Sequence, residues 1–156
     1  MLYRGSEQGF NIKELHRRLN EASKCLVVVK TTKSRVFGAF TSIPMSYQSS
    51  DQVSREDPTA FMFSQDHMSI LRPNHKANPP LAVTLSPRVM LWYGAGCHDL
   101  YIRDRCNEHS NNQTVLYNFI PEGLDPEKDY FSPHSYLAGG EYFKVEDLEI
   151  FKVTFV

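Results

Sequence analysis

A surplus of basic residues is missing from this chain: Lys and Arg number 17 against 18 Asp and Glu, a formal net charge of -1. That balance argues against general nucleic-acid binding, which needs cations to neutralise phosphates, and against an electrostatic membrane anchor. No apolar run approaches the roughly 18 residues that a bilayer span requires. The first residues, Met1-Leu2-Tyr3-Arg4-Gly5-Ser6, lack the apolar core of a secretory signal. Cysteine is scarce, with Cys25, Cys97 and Cys106 too few and too scattered for a disulfide framework. An intracellular, cytoplasmic location is the expectation. The Asn112-Gln113-Thr114 triplet then reads as a chance match to a glycosylation acceptor.

Several catalytic signatures are absent too. No Gly-x-Ser-x-Gly elbow occurs, so no hydrolase of that type is indicated. The glycines Gly94 and Gly96 lack the Gly-Lys-Ser/Thr ending and following helix of a phosphate-binding loop, and tight turns leading into a strand explain them better. Cys97, His98, Cys106 and His109 offer sulfur and imidazole ligands, but only Cys106 and His109 approach the close-pair spacing of structural zinc sites. Cys97 and His98 are sequence neighbours, which on a strand would face opposite ways. A distant imidazole, His134 or His109, stays open as a partner for a thiol.

What is present is the length and composition of one globular domain over residues 1–156, with 41% apolar and 22% charged residues. Asn11 with Glu14 three positions on marks a capped helix start, and Ile12, Leu15, Leu19 and Ala22 recur on one face. His16 beside that stripe reads as a packing or surface residue. Cys25–Lys30 reads as a strand buried on both faces, and Val36–Thr41 as its hairpin partner. Gly38 within that second strand signals a bulge or a close backbone approach.

Residues 44–59 form a long polar connection bounded by Pro44 and Pro58, expected to be functional or mobile. Further strands are expected at residues 60–64, 81–85, 89–93, 98–103, 114–119 and 145–156, with 72–80 as a loop. The total is roughly eight short strands and one strong helix, an antiparallel sheet protein. Alternation breaks at Glu146-Asp147, which predicts a bend or bulge.

Three groups of residues, taken in order, resemble the TLDc family of oxidation-resistance and related proteins. The first is Leu2–Ser6 leading through Gly9-Phe10 to the amphipathic helix. The second pairs Val36–Ser42 with Asp57–Ser64. The third is Gly94–Ile102, completed by Ser135–Gly139 and Phe143–Phe151. The likeness runs from about residue 2 to residue 153. Cys97 and Glu56 depart from the usual pattern, where another small residue and a lysine are common.

The resemblance implies a mainly β fold, a two-layer antiparallel β-sandwich with a few short flanking α-helices. It implies a non-enzymatic protein-binding domain that contributes to protection from oxidative stress, without cofactor or metal. Peripheral subunits of the vacuolar proton-pumping ATPase are the implied partner, met by a monomer without membrane insertion. Partner contact is expected at Gly94, Gly96, His98, Asp99, Ser135, Ala138, Gly139, Glu146 and Glu149. Two alternatives stand beside this reading. One is thiol-dependent antioxidant activity through Cys106, whose neighbours Arg103 and Arg105 favour a thiolate if the loop is exposed. The other is an interaction module of a larger protein with an unrelated partner.

Overall fold

The computed structural model describes residues 1–47, 50–74, 81–125 and 127–154; for Leu81 only the backbone is described. Two short helices lie near the start of the chain, α1 (Gly5–Gln8) and α2 (Ile12–Leu19). Asn11 caps α2 as its sequence predicts, its side chain accepting from the Lys13 and Glu14 backbone N–H at 2.9 and 3.3 Å. Glu14 does not complete the reciprocal half of that motif. Its carboxylate instead takes Arg17 and Arg18 at 2.8 and 2.6 Å on the solvent side. Leu15 and Leu19 are fully buried, whereas Ala22 lies beyond the helix end and pairs through its backbone with Met45. His16 packs: its ring stacks on Tyr47 at 3.6 Å, and Nε2 lies 2.8 Å from the Val89 carbonyl.

The first sheet combines β1 (Tyr3–Arg4), β2 (Cys25–Thr31), β3 (Val36–Thr41), β5 (Phe61–Ser64), β6 (Ser69–Pro73), β11 (Phe119–Pro121) and β13 (Val145–Lys152). Its spatial order is β1-β13-β2-β3-β5-β6-β11, and every pairing is antiparallel. The β2–β3 hairpin forms in the expected place. However, β2 is not buried on both faces. Cys25, Val27, Val29 and Thr31 point into the core, while Lys30 is exposed and Leu26 and Val28 are only half-buried. Neighbouring β3 differs, with Phe37 to Thr41 buried in succession, and α1 meets the sheet at β1 and β13. Gly38 marks a close approach without a bulge, since a Cβ there would lie 1.9 Å from the Val27 carbonyl oxygen.

The second sheet runs β12-β10-β9-β8-β7-β4, with β4 (Val53–Glu56), β7 (Leu81–Leu85), β8 (Leu91–Tyr93), β9 (Leu100–Ile102), β10 (Asn112–Gln113) and β12 (Tyr142–Phe143). The described residues thus contain thirteen strands in two antiparallel sheets, a β-sandwich. Leu15, Leu19, Val27, Phe37, Met62, Leu91, Tyr93, Leu100, Phe119 and Leu148 meet between the layers in one cluster. Burying each such large side chain contributes about 1.5–3 kcal/mol before entropy is charged against it.

Three stretches differ from the sequence expectation. The connection 44–59 contains edge strand β4, and Asp57 near its end is buried; residues 48 and 49 lie outside the described residues. The expected loop 72–80 begins with the end of β6, and residues 75–80 lie outside the described residues. Residues 114–118 are not a strand, because their N–H groups go one by one to Glu141, His98, Pro133 and the Asp99 carboxylate rather than to a ladder. The expected bulge is present, with the β13–β2 register shifting between Val145 and Asp147. Residues 155 and 156, the end of the expected last strand, lie outside the described residues.

Candidate functional site

Alternation along β8 and β9 settles which side chains reach the outer face of the second sheet. Leu91, Tyr93, Leu100 and Ile102 are buried, so Trp92 and Tyr101 point outward between them. Cross-strand register extends this pair into a row: Trp92 opposite Tyr101, Tyr101 opposite Gln113, and Gln113 opposite Tyr142. Trp92 and Tyr101 meet edge to face at 5.1 Å, and His98 lies 4.2 Å from Tyr101. The Arg103 guanidinium sits 5.0 Å over the Tyr101 ring. Tyr142 at the sheet edge remains 58% exposed, a large aromatic with little to cover it. Trp, Tyr and Arg on a rigid sheet are the side chains that dominate protein–protein binding energies.

His98 ties this row to the connection before β12 (residues 122–141). His98 Nδ1 meets Gln113 Oε1, Gln113 Nε2 donates to Glu141 Oε1 at 2.6 Å, and His134 Nδ1 lies 3.1 Å from Glu141 Oε2. Since Gln113 donates through nitrogen to Glu141, its oxygen must accept, which places the imidazole proton of His98 on Nδ1. The Gln113 amide, ahead of a contribution from His134, holds the Glu141 carboxyl below its ordinary range. Backbone bonds fix the same frame, Val115 N–H to the His98 carbonyl at 2.8 Å and Thr114 N–H to the Glu141 carbonyl at 2.9 Å.

Asp99, beside His98, does a different job. It is fully buried and accepts from the Tyr117, Asn118 and Phe119 backbone N–H groups at 2.7, 2.8 and 3.0 Å, and from Asn118 Nδ2 at 2.7 Å. Burial pushes its carboxyl up, against the pull of these donors. Gly94 lies against that carboxylate with φ +92°, and Gly96 sits in the same turn with open space around it. The segment 97–99 is this turn and not part of a strand, because β9 begins at Leu100.

The remaining expected contact residues divide between places. Ser135 and Gly139 border a surface pocket with Arg35 and His67, while Ala138 is buried in the core. Glu146 and Glu149 belong to β13 on the other sheet, where they pair with Lys30 at 2.8 Å and Arg4 at 3.2 Å. They therefore do not share a face with His98. Asp147 between them is turned by the bulge to accept from Ser6 Oγ and Arg4 Nε at 2.8 and 3.0 Å, pinning α1. Sequence reading did not single out Trp92, Tyr101, Gln113 or Tyr142. The available signal was a lone outward aromatic between buried neighbours in both Leu91-Trp92-Tyr93 and Leu100-Tyr101-Ile102.

The expectation of an exposed Cys106 is overturned. Cys106 has no exposed surface and belongs to the core, and burial pushes its thiol up to about 12. Its carbonyl is held by Asn112 Nδ2 at 3.0 Å and by the Val145 N–H at 3.1 Å. Its basic neighbours in sequence are exposed, Arg103 engaged with the Asn111 carbonyl and the Tyr101 ring and Arg105 in the turn 104–108 at φ +52°. Cys25 is buried as well, and only Cys97 is partly exposed. Among the described residues no three His, Cys, Asp or Glu side chains are grouped to hold a metal ion. No helix among them is long and apolar enough to cross a membrane.

A family model described as the TLDc domain matches residues 1–154. No curated protein matches the chain.

Proposed function

From the premise that this chain belongs to the TLDc domain family, we propose that it is a non-catalytic protein-binding domain. The face that meets the partner is the outer side of the second sheet, along Trp92, Tyr101, Gln113 and Tyr142 with His98 and Glu141 beside them. The observation that carries this reading is the register that lines these side chains across four strands. Such a platform is preorganised, so docking on it forfeits little side-chain entropy. The partner is a peripheral part of the vacuolar proton-pumping ATPase, a proposal supported by the family resemblance. Protection from oxidative stress follows through that partner, and the domain acts as a cytoplasmic monomer.

The test is affinity capture of pump subunits from a lysate by the purified chain and by the Trp92→Ala, Tyr142→Ala double variant. The wild type is expected to retain peripheral pump subunits and the variant to lose them at unchanged thermal stability. Equal capture by both chains would place the contact elsewhere. Capture of other proteins without any pump subunit would replace this partner with an unrelated one.

A further inference from the structure

A pocket of about 570 Å³, a size suited to a small ligand or a few side chains, lies at the end of the first sheet where the β2–β3 and β5–β6 turns meet. Three parts of the chain build it: Arg35 just before β3, His67 in the turn between β5 and β6, and the connection 122–141 with Phe131, Ser135, Tyr136 and Gly139. Tyr136 is the fixed wall. Its ring stacks on His67 at 4.1 Å and meets the edge of Phe131 at 5.9 Å, and its hydroxyl bonds Ser69 Oγ at 2.9 Å. An aromatic held from three sides accepts an apolar group at little entropic cost.

Arg35 supplies the charge. Its Nη1 lies 3.4 Å from Asp66 Oδ1, a loose ion pair, and its side chain is 44% exposed. Gly139, at φ +76°, borders the guanidinium on another side, where a Cβ would come into contact with Arg35 Nε at 3.4 Å. Among the described residues that line the pocket none is a carboxylate, and Asp66 on the guanidinium is the acid with which an incoming anion competes. One permanent cation, already shared with Asp66, matches a monoanion rather than a phosphate dianion.

We propose that this pocket binds a partner's polypeptide segment in which an Asp or Glu side chain adjoins a bulky aromatic, the ring on Tyr136 and the carboxylate on Arg35. The occupant's being a polypeptide rests on the protein-binding reading above; the pocket and its charge preference do not.

The test uses the purified 156-residue chain and capped dipeptides, followed by amide chemical shifts in nuclear magnetic resonance titrations. N-acetyl-Phe-Glu-amide should bind saturably at millimolar concentration, shifting amides around Arg35, His67 and Gly139. Its neutral Gln isostere should bind about fivefold more weakly, the upper range for an ion pair with a half-exposed guanidinium. Arg35→Gln should bring the Glu peptide to the level of the Gln peptide. Asp66→Asn, which frees the guanidinium, should strengthen binding. Equal affinity for the two peptides, or indifference to both substitutions, would overturn the proposal. Tighter binding of phenyl phosphate would overturn the monoanion, and tighter binding of N-acetyl-Phe with its free terminal carboxylate would overturn the internal segment. The titration contains no partner protein, so its failure leaves the capture experiment intact, and failed capture leaves the titration intact.

Discussion

A Cβ on Gly94 would stand 2.1 Å from Asp99 Oδ2, and Gly94 itself holds φ at +92°. The two residues therefore form one unit: the carboxylate gathers the backbone of residues 117–119, and only a glycine lets the turn close over it. Gly94→Ala meets both strain and a clash, and should cost about 2–4 kcal/mol. Asp99→Ala leaves the buried Asn118 N–H, Asn118 Nδ2 and Phe119 N–H donors, and the half-buried Tyr117 N–H, without their acceptor and should cost about 3 kcal/mol or more. Because both changes break the same unit, the double variant should lose clearly less than the sum. Urea unfolding of the four chains measures this, and strict additivity would refute the coupling.

Thiol reactivity should follow exposure and not the sequence neighbourhood. Cys97 is the partly exposed one, whereas Cys25 and Cys106 are fully buried with thiols pushed up to about 11 and 12. In native buffer Cys97 is expected to be alkylated first. Cys25 and Cys106 should lag by about a hundredfold or more, since exposing a core position requires an opening that costs several kcal/mol. Mass spectrometry of timed labelling gives the order. Early modification of Cys106 would restore the antioxidant reading that its burial argues against.

What could be read from the sequence was local. The Asn11 cap, the β2–β3 hairpin and β7 carry their own patterns of capping side chain, β-branched run and turn, and they form where those patterns lie. β4 did not stand out because an edge strand with Ser54, Arg55 and Glu56 has little apolar pattern to show. β1, β10 and β12 are two residues each, too short to express a period. The aromatic row was hidden for another reason. Trp92, Tyr101, Gln113 and Tyr142 become neighbours only through strand register, which a single sequence does not state. Cys106 misled because its polar, charged surroundings in sequence stay at the surface while its own side chain turns into the core.

Asp57 should make stability depend on acid pH. Burial pushes its carboxyl up, but hydrogen bonds from Thr41, Thr59 and Ser42 outweigh it and hold the group below its ordinary range. A group lowered on folding contributes stability that is whole above its unfolded pKa, near 4, and is lost as pH falls through the lower folded value. Thr41 Oγ1 and Ser42 N–H each donate to it at 2.7 Å, so Asp57→Asn should also cost about 1–3 kcal/mol at neutral pH. Unfolding free energies at pH 7 and pH 3 are expected to converge for the two chains. A constant gap between them would show that Asp57 does not carry the acid sensitivity.

Tyr93 offers the opposite sign. Its ring is wholly buried in the core, yet its hydroxyl finds no hydrogen-bond partner among the described residues. A buried hydroxyl without a partner keeps its desolvation cost and returns nothing, whereas the phenyl ring of Phe fills nearly the same space. Tyr93→Phe should therefore leave stability unchanged or raise it by about 1 kcal/mol, while Tyr93→Ala should cost about 3–5 kcal/mol through the cavity it opens. Chemical denaturation of both variants separates ring from hydroxyl. A marked loss with Phe would mean that the hydroxyl serves the fold after all, through a bond formed in solution.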